Sequence, residues 1–256
     1  MDMQKSIYAE FARQSGTVDS TWFRNHAYDP PFLRIISEQE QRFLIDWHEA
    51  VAQEYPNAGA SGVEMMTMLS GLIMGSGISR IVQCGHYVGF STLLMGFIGR
   101  YMGLNRFLYT VDIDPKPSEF TLSWVQKAGL ADDIFIAVKD SSDPSNVDAA
   151  AEFLGGAPQL IYIDSSHQYQ HTLKELALWW DALPPGGLII MDDVSLWASE
   201  FDRTQEGGSH RAALQFRQTV AANGVILNAN LAREMPDPYQ LIYTDICGFG
   251  LIQKPY

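Results

Sequence analysis

Five short apolar runs each hand over to a polar or acidic residue: Gln83, Asp112, Asp140, Asp164 and the pair Asp192-Asp193. These positions recur 24 to 29 residues apart, close to one strand-helix unit each. Helix caps and turns alone do not account for five such groups in phase. His167 follows Asp164 by three residues, and an imidazole can take a proton near neutral pH, so it is a candidate general base. Gly85 and Gly89 straddle the exit of the first run, where the missing Cβ permits positive φ and close approach of a ligand.

The elements that must position these groups are legible from residue 80 onward. The apolar runs Arg80–Gln83, Phe107–Val111, Ile134–Val138, Leu160–Ile163 and Leu188–Met191 are short and near-continuous, as strands buried on both faces of a parallel sheet require. Helices are expected over Thr92–Tyr101, Glu119–Ala128 and Gln168–Ala182. The fold class is therefore α/β: a doubly wound, mostly parallel Rossmann-like sheet with helices on both sides. In such a sheet ligands bind beyond the carboxyl ends of the strands, which is where the five groups stand. Pro184-Pro185-Gly186-Gly187 stops one helix and releases the chain into the next strand. Val225–Asn228 and Phe249–Gln253 read as a closing antiparallel edge pair.

Residues 1–60 differ in pattern and are expected to form a helical layer or lid, with residues 61–256 as the main domain. Helical stretches lie near Lys5–Gln14, Ser37–Tyr55 and Val63–Met74, and Ser37 with Glu40 is a capping-box signature. Length favours one main domain.

The formal charge of −13, with no basic run, disfavours nucleic acid and points to a small-molecule partner. The start lacks a basic segment leading into an apolar core, and no stretch is long and apolar enough to span a membrane. A cytoplasmic location is expected. Cys84 and Cys247 suit buried thiols better than a disulfide framework or a metal site. Without Gly-Lys-Ser/Thr there is no P-loop, and Gly-x-x-x-Gly is not the dinucleotide fingerprint.

The stretch from Val82 to Thr92, then Tyr109-Thr110-Val111-Asp112, Leu160-Ile161-Tyr162-Ile163-Asp164 with His167 and Tyr169, Trp179-Trp180, Pro185-Gly186-Gly187 and Asp192-Asp193-Val194 resemble the motifs of class I S-adenosylmethionine-dependent methyltransferases, particularly small-molecule O-methyltransferases. The resemblance covers roughly residues 60–253. It implies a cofactor site of Gln83, Gly85, Tyr87, Gly89, Ser91, Asp112, Asp140, Ser141 and Asp164. Asp112 would accept from both ribose hydroxyls, Asp140 with Ser141 would meet the adenine edge, and Ser91 would hold the methionine carboxylate. Gln83 departs from the acid usual in that family and offers no charge to the cofactor's ammonium.

The resemblance also places Asp164, Asp192 and Asp193 where metal-dependent relatives hold a divalent cation such as Mg²⁺. Two readings stay open there: a metal that activates the acceptor hydroxyl, or a structural role with His167 and Asp164 as the catalytic residues. His210, Trp197 and Phe201 are weaker candidates around the acceptor. The implied activity is methyl transfer from S-adenosylmethionine to a hydroxyl of a small molecule, with a homodimer as the implied assembly. The alternatives are a cyclase or lyase of the same fold that releases methylthioadenosine, and a non-catalytic cofactor-binding protein.

Overall fold

Alternate residues of the central strands belong to two different cores, which is the signature of a sheet covered on both faces. Ile81, Leu160, Tyr162, Leu188 and Ile190 join one apolar cluster, while Val82, Ile161, Ile163, Ile189 and Met191 join the other. The computed structural model describes residues 31–59, 61, 63–222, 239–242 and 247–254. The expected helix at Lys5–Gln14 and strand at Val225–Asn228 lie outside them.

Among the described residues, seven strands form one sheet in the order β3-β2-β1-β4-β5-β7-β6. They are β1 (Ile81–Cys84), β2 (Leu108–Asp112), β3 (Ile134–Val138), β4 (Leu160–Ile163), β5 (Leu188–Asp192), β6 (Tyr239–Ile242) and β7 (Phe249–Gln253). The first five are parallel, whereas β7 runs antiparallel to both β5 and β6. β7 thus takes the closing place expected of Phe249–Gln253, with Tyr239–Ile242 as its partner. Between β1 and β4 the strand order reverses, opening the crevice in which such sheets bind ligands.

On the first face lie α1 (Pro31–Ile35), α2 (Glu38–Glu54), α3 (Val63–Ser76), α4 (Phe90–Tyr101) and α5 (Pro115–Lys127). The second face carries α6 (Ser145–Leu154), α7 (Tyr169–Ala182) and α8 (Gly208–Ala222). The Ser37–Glu40 capping box is present at the start of α2, with both reciprocal bonds made. Leu44, Ile45, Trp47 and Val51 of α2 enter the same core as the sheet, and the Trp47 indole N–H donates to the Val88 carbonyl at 2.8 Å. Helix α2 therefore grips the loop that follows β1. Cys84 is a buried thiol and Cys247 a partly buried one. No helix among the described residues is long and apolar enough to cross a membrane.

Candidate active site

Beyond the carboxyl ends of β1 to β5 lies a cavity of about 900 Å³, whose wall includes Gly85, Tyr87, Gly89, Ser91, Asp112, Asp140, Ser141, Asp164, His167, Asp192 and Asp193. That volume is in the upper range for small-molecule sites. Of the residues anticipated for cofactor, metal and catalysis, Gln83 alone is missing from this wall. It is fully buried, and its amide nitrogen donates to the Gly85 carbonyl at 2.9 Å and to the Ser91 hydroxyl at 2.8 Å. The Thr92 hydroxyl donates to its amide oxygen at 2.8 Å. The amide thus braces the turn into α4 from below, and the missing charge is a matter of loop construction.

The two glycines have a reason beyond ligand approach. Gly85 and Gly89 have φ of 89° and 93°, where a Cβ is strained. A Cβ on Gly85 would sit 1.9 Å from the Asp164 carbonyl oxygen, and one on Gly89 would sit 2.7 Å from Thr121 Cγ2. The space a side chain would need is filled by the chain's own β4 exit and α5. Between them Tyr87 also has positive φ, at 41°.

Asp112, at the tip of β2, is held by the backbone on both oxygens. Oδ2 accepts from the N–H groups of His86 at 3.1 Å and Tyr87 at 2.8 Å, and Oδ1 from that of Asp114 at 3.0 Å. His86 itself is buried between Thr110 and Ser118, and burial pushes its pKa down to about 4 against the pull of Asp112. It is a neutral prop for the loop at neutral pH.

Asp140 follows β3, and its Oδ1 accepts from the Ser142 N–H at 2.8 Å, the Ser142 hydroxyl at 2.7 Å and His171 Nε2 at 3.0 Å. Burial raises its pKa, but these bonds outweigh it and hold the group down at about 2. Across the ring, His171 Nδ1 lies 3.3 Å from Oε2 of Glu175, a fully buried carboxylate that also accepts from the hydroxyls of Ser141 and Ser165. Burial lowers the His171 pKa, yet Glu175 and Asp140 together raise it to about 9. Trp179, in the core, donates to the Ser141 carbonyl at 3.2 Å and pins the same loop.

At the other end of the cavity, Asp164 Oδ2 accepts from the hydroxyls of Ser61 at 3.1 Å and Tyr162 at 3.0 Å. The Tyr162 oxygen is also 3.1 Å from Asp192 Oδ2, so one phenolic proton stands between two carboxylates. Burial first, then Asp164 and Asp192, push this hydroxyl well above its ordinary pKa, and it stays a donor. His167 and Asp193 both occupy the left-handed region, with φ of 54° and 57°. Strained non-glycine residues of this kind gather at functional sites. Their side chains meet, Nδ1 to Oδ2, at 3.2 Å.

Ligand atoms of Asp164, His167 and Asp193 all lie within 4.8 Å of one another, an arrangement compatible with a divalent cation. Asp192 stands outside this group and accepts from the Tyr162 hydroxyl and the Asp193 N–H. Phe201 packs edge-on to His167 and to Trp197, and lines the cavity, whereas Trp197 does not. His210 also stands back from the cavity, its Nδ1 2.8 Å from the Val194 carbonyl.

The sequence reading passed over His171, Glu175, Tyr162 and Ser61. The first two were legible as a His-x-x-x-Glu pair on one face of an expected helix. Ser61 carries no signal of its own, because only the fold brings it to Asp164. Tyr162 stands in β4 two residues before Asp164, but its reach to Asp192 on the neighbouring strand shows only in the sheet.

Residues 82–194 match the family model described as a methyltransferase domain. Among solved structures, the chain resembles an O-methyltransferase from Bacillus cereus in complex with SAH at 16% identity, covering 98% of this chain and 100% of that one, with a TM-score of 0.58. It also resembles the O-methyltransferase TomG from Streptomyces achromogenes, involved in tomaymycin synthesis and bound to SAM, at 15% identity, with both chains fully covered and a TM-score of 0.58. At these identities the likeness is one of fold. No curated protein matches the chain in sequence.

Proposed function

From a chain that carries a methyltransferase domain over residues 82–194, we propose an enzyme that moves the methyl group of S-adenosylmethionine to a hydroxyl of a small molecule. The observation that carries this reading is the division of one cavity between two kinds of end. Asp112, Asp140 and Ser141 stand at one, His167 with Asp164 and Asp193 at the other, and the Gly85–Gly89 loop lies between.

In this reading the ribose meets Asp112, whose carboxylate is already aimed by three backbone N–H groups. Adenine meets Asp140 and Ser141. Tyr87 covers the cofactor, and Ser91 together with the backbone around Gly85 and Gly89 receives its methionine end. With Gln83 engaged beneath the loop, Asp164 is the carboxylate beside Gly85 and takes the ammonium. The sulfonium supplies the reactive methyl, and the protein supplies orientation and deprotonation.

His167 is the proposed base. Its bond to Asp193 places the proton of the neutral ring on Nδ1 and leaves Nε2 to accept the acceptor's proton. Asp193 then stabilises the imidazolium that forms. A second reading is favoured by the convergence of Asp164, His167 and Asp193. Those three residues would hold a divalent cation, with Asp192 behind them, and the ion would lower the acceptor hydroxyl's pKa. Mixed nitrogen and oxygen ligands suit a transition ion better than Mg²⁺.

The partition into a helical layer over 1–60 and a cofactor-binding part over 61–256 belongs to the same proposal, as do a homodimer and a cytoplasmic location. Gly59 and Ser61 already stand in the cavity wall. The test incubates the protein with S-adenosylmethionine, first alone and then with a library of hydroxylated acceptors, in divalent metal or in EDTA. Mass spectrometry follows the nucleosides. S-adenosylhomocysteine formed only with an acceptor is the expected result, and its loss in EDTA would select the metal reading. Methylthioadenosine formed without acceptor would overturn methyl transfer.

A further inference from the structure

His171 stands in the cavity wall and has no task in methyl transfer as described. Its ring lies between two carboxylates from different places, Asp140 of the loop after β3 and Glu175 one turn further along α7. The three donors on Asp140 all meet Oδ1, and among the described residues no donor reaches Oδ2. We propose that His171 is a positioning residue for the purine: it pins Asp140 by one oxygen and leaves the other as the acceptor for the exocyclic amine of adenine. The inference rests on the reading of Asp140 as the adenine-binding residue.

The physical case is one of proton count. A protonated imidazole presents an N–H on each side: Nε2 hydrogen-bonds Asp140 at 3.0 Å, and Nδ1 faces Glu175 Oε2 at 3.3 Å as an ion pair without hydrogen-bond geometry. A neutral ring has one N–H, and one carboxylate then loses its donor and faces the other across an uncharged ring. Glu175 is also held by Ser141 and Ser165 and is fully buried. Asp140 is half-exposed, so it is the partner that moves. The pKa of about 9 for His171 keeps the bridge intact at neutral pH and opens it in mild alkali. The charged and titratable groups recorded around the ring are Asp140, Glu175 and, behind Glu175, the Cys84 thiol of β1, which burial pushes well above its usual range. An ionised carboxylate also prefers the amino group of adenine to the carbonyl of hypoxanthine.

The test measures binding of 5′-methylthioadenosine to the full chain between about pH 7 and about pH 10, a ligand with no group that titrates in this window. Wild-type affinity is expected to fall about tenfold across it, the worth of one charge-assisted contact. His171→Gln should bind about tenfold more weakly at pH 7 and show no such step, and wild type should prefer adenosine to inosine at pH 7. His171→Lys, whose cation persists to about pH 10, should keep much of the affinity and lose the step. Should the glutamine variant fail to fold, the lysine variant decides, since a wild-type step in it overturns the proposal. Equal affinity and an equal pH step in His171→Gln would overturn the role of His171 alone. A wild type that binds no adenine nucleoside would overturn the cofactor reading along with it.

Discussion

The two ends of the cavity are built on opposite principles. At the Asp140 end, Asp140 and Glu175 accept several hydrogen bonds, no residue from 140 to 146 has a positive φ, and the His171 ring is held as a cation between carboxylates. At the Asp164 end, two non-glycine residues sit in the left-handed region and one phenolic proton serves two carboxylates. A satisfied network is stiff and specifies a single ligand geometry. Stored strain and shared protons suit a place where charge must move. Under the proposed function, that difference would separate a binding end from a reacting end within one pocket.

Substitutions can break that contrast. His167→Ala should lower kcat by about a thousandfold, the usual worth of a positioned base, with little change in cofactor affinity by calorimetry. A large loss of cofactor binding instead would erase the division of labour. Glu175→Ala removes a buried carboxylate from beneath both Ser141 and His171, and should cost about 3 kcal/mol in urea unfolding. Asp112→Asn should weaken the cofactor by about tenfold without touching kcat at saturation, measured by initial rates over a cofactor series. Ser37→Ala, far from either end, should cost about 1 kcal/mol through the α2 cap and leave both kinetic constants as they were.

A pH series sharpens the same contrast. Because the pKa of His171 is raised in the fold to about 9, its contribution to stability is complete below about pH 6.5 and is lost as pH rises through the folded value. The melting temperature of the protein should therefore decline over that window, and His171→Gln should remove that part of the decline.

Most of the fold was legible because buried parallel strands and amphipathic helices leave local patterns. Strand ends shifted by a residue, as in β1 and β2, because pairing with neighbours sets them. Tyr239–Ile242 escaped notice: Pro236 and Pro238 stand just before it, and its strand character comes from β7 alongside. The acids at the strand tips were legible from their spacing. Their division between two ends was not, since Ser61 and Glu175 act from other elements and Tyr162 of β4 reaches across to Asp192 of β5. Gln83 shows the converse, a strand-tip position whose side chain turns under the loop.

Trp47 gives this molecule its own reporter. Its indole N–H is bonded to the carbonyl of Val88, next to Gly89, while its ring is buried beside Phe90. A ligand that shifts the glycine turn by a fraction of an ångström alters that bond, and with it the proton chemical shift of one indole resonance. Occupancy of the pocket can thus be followed by magnetic resonance from helix α2, with no label attached.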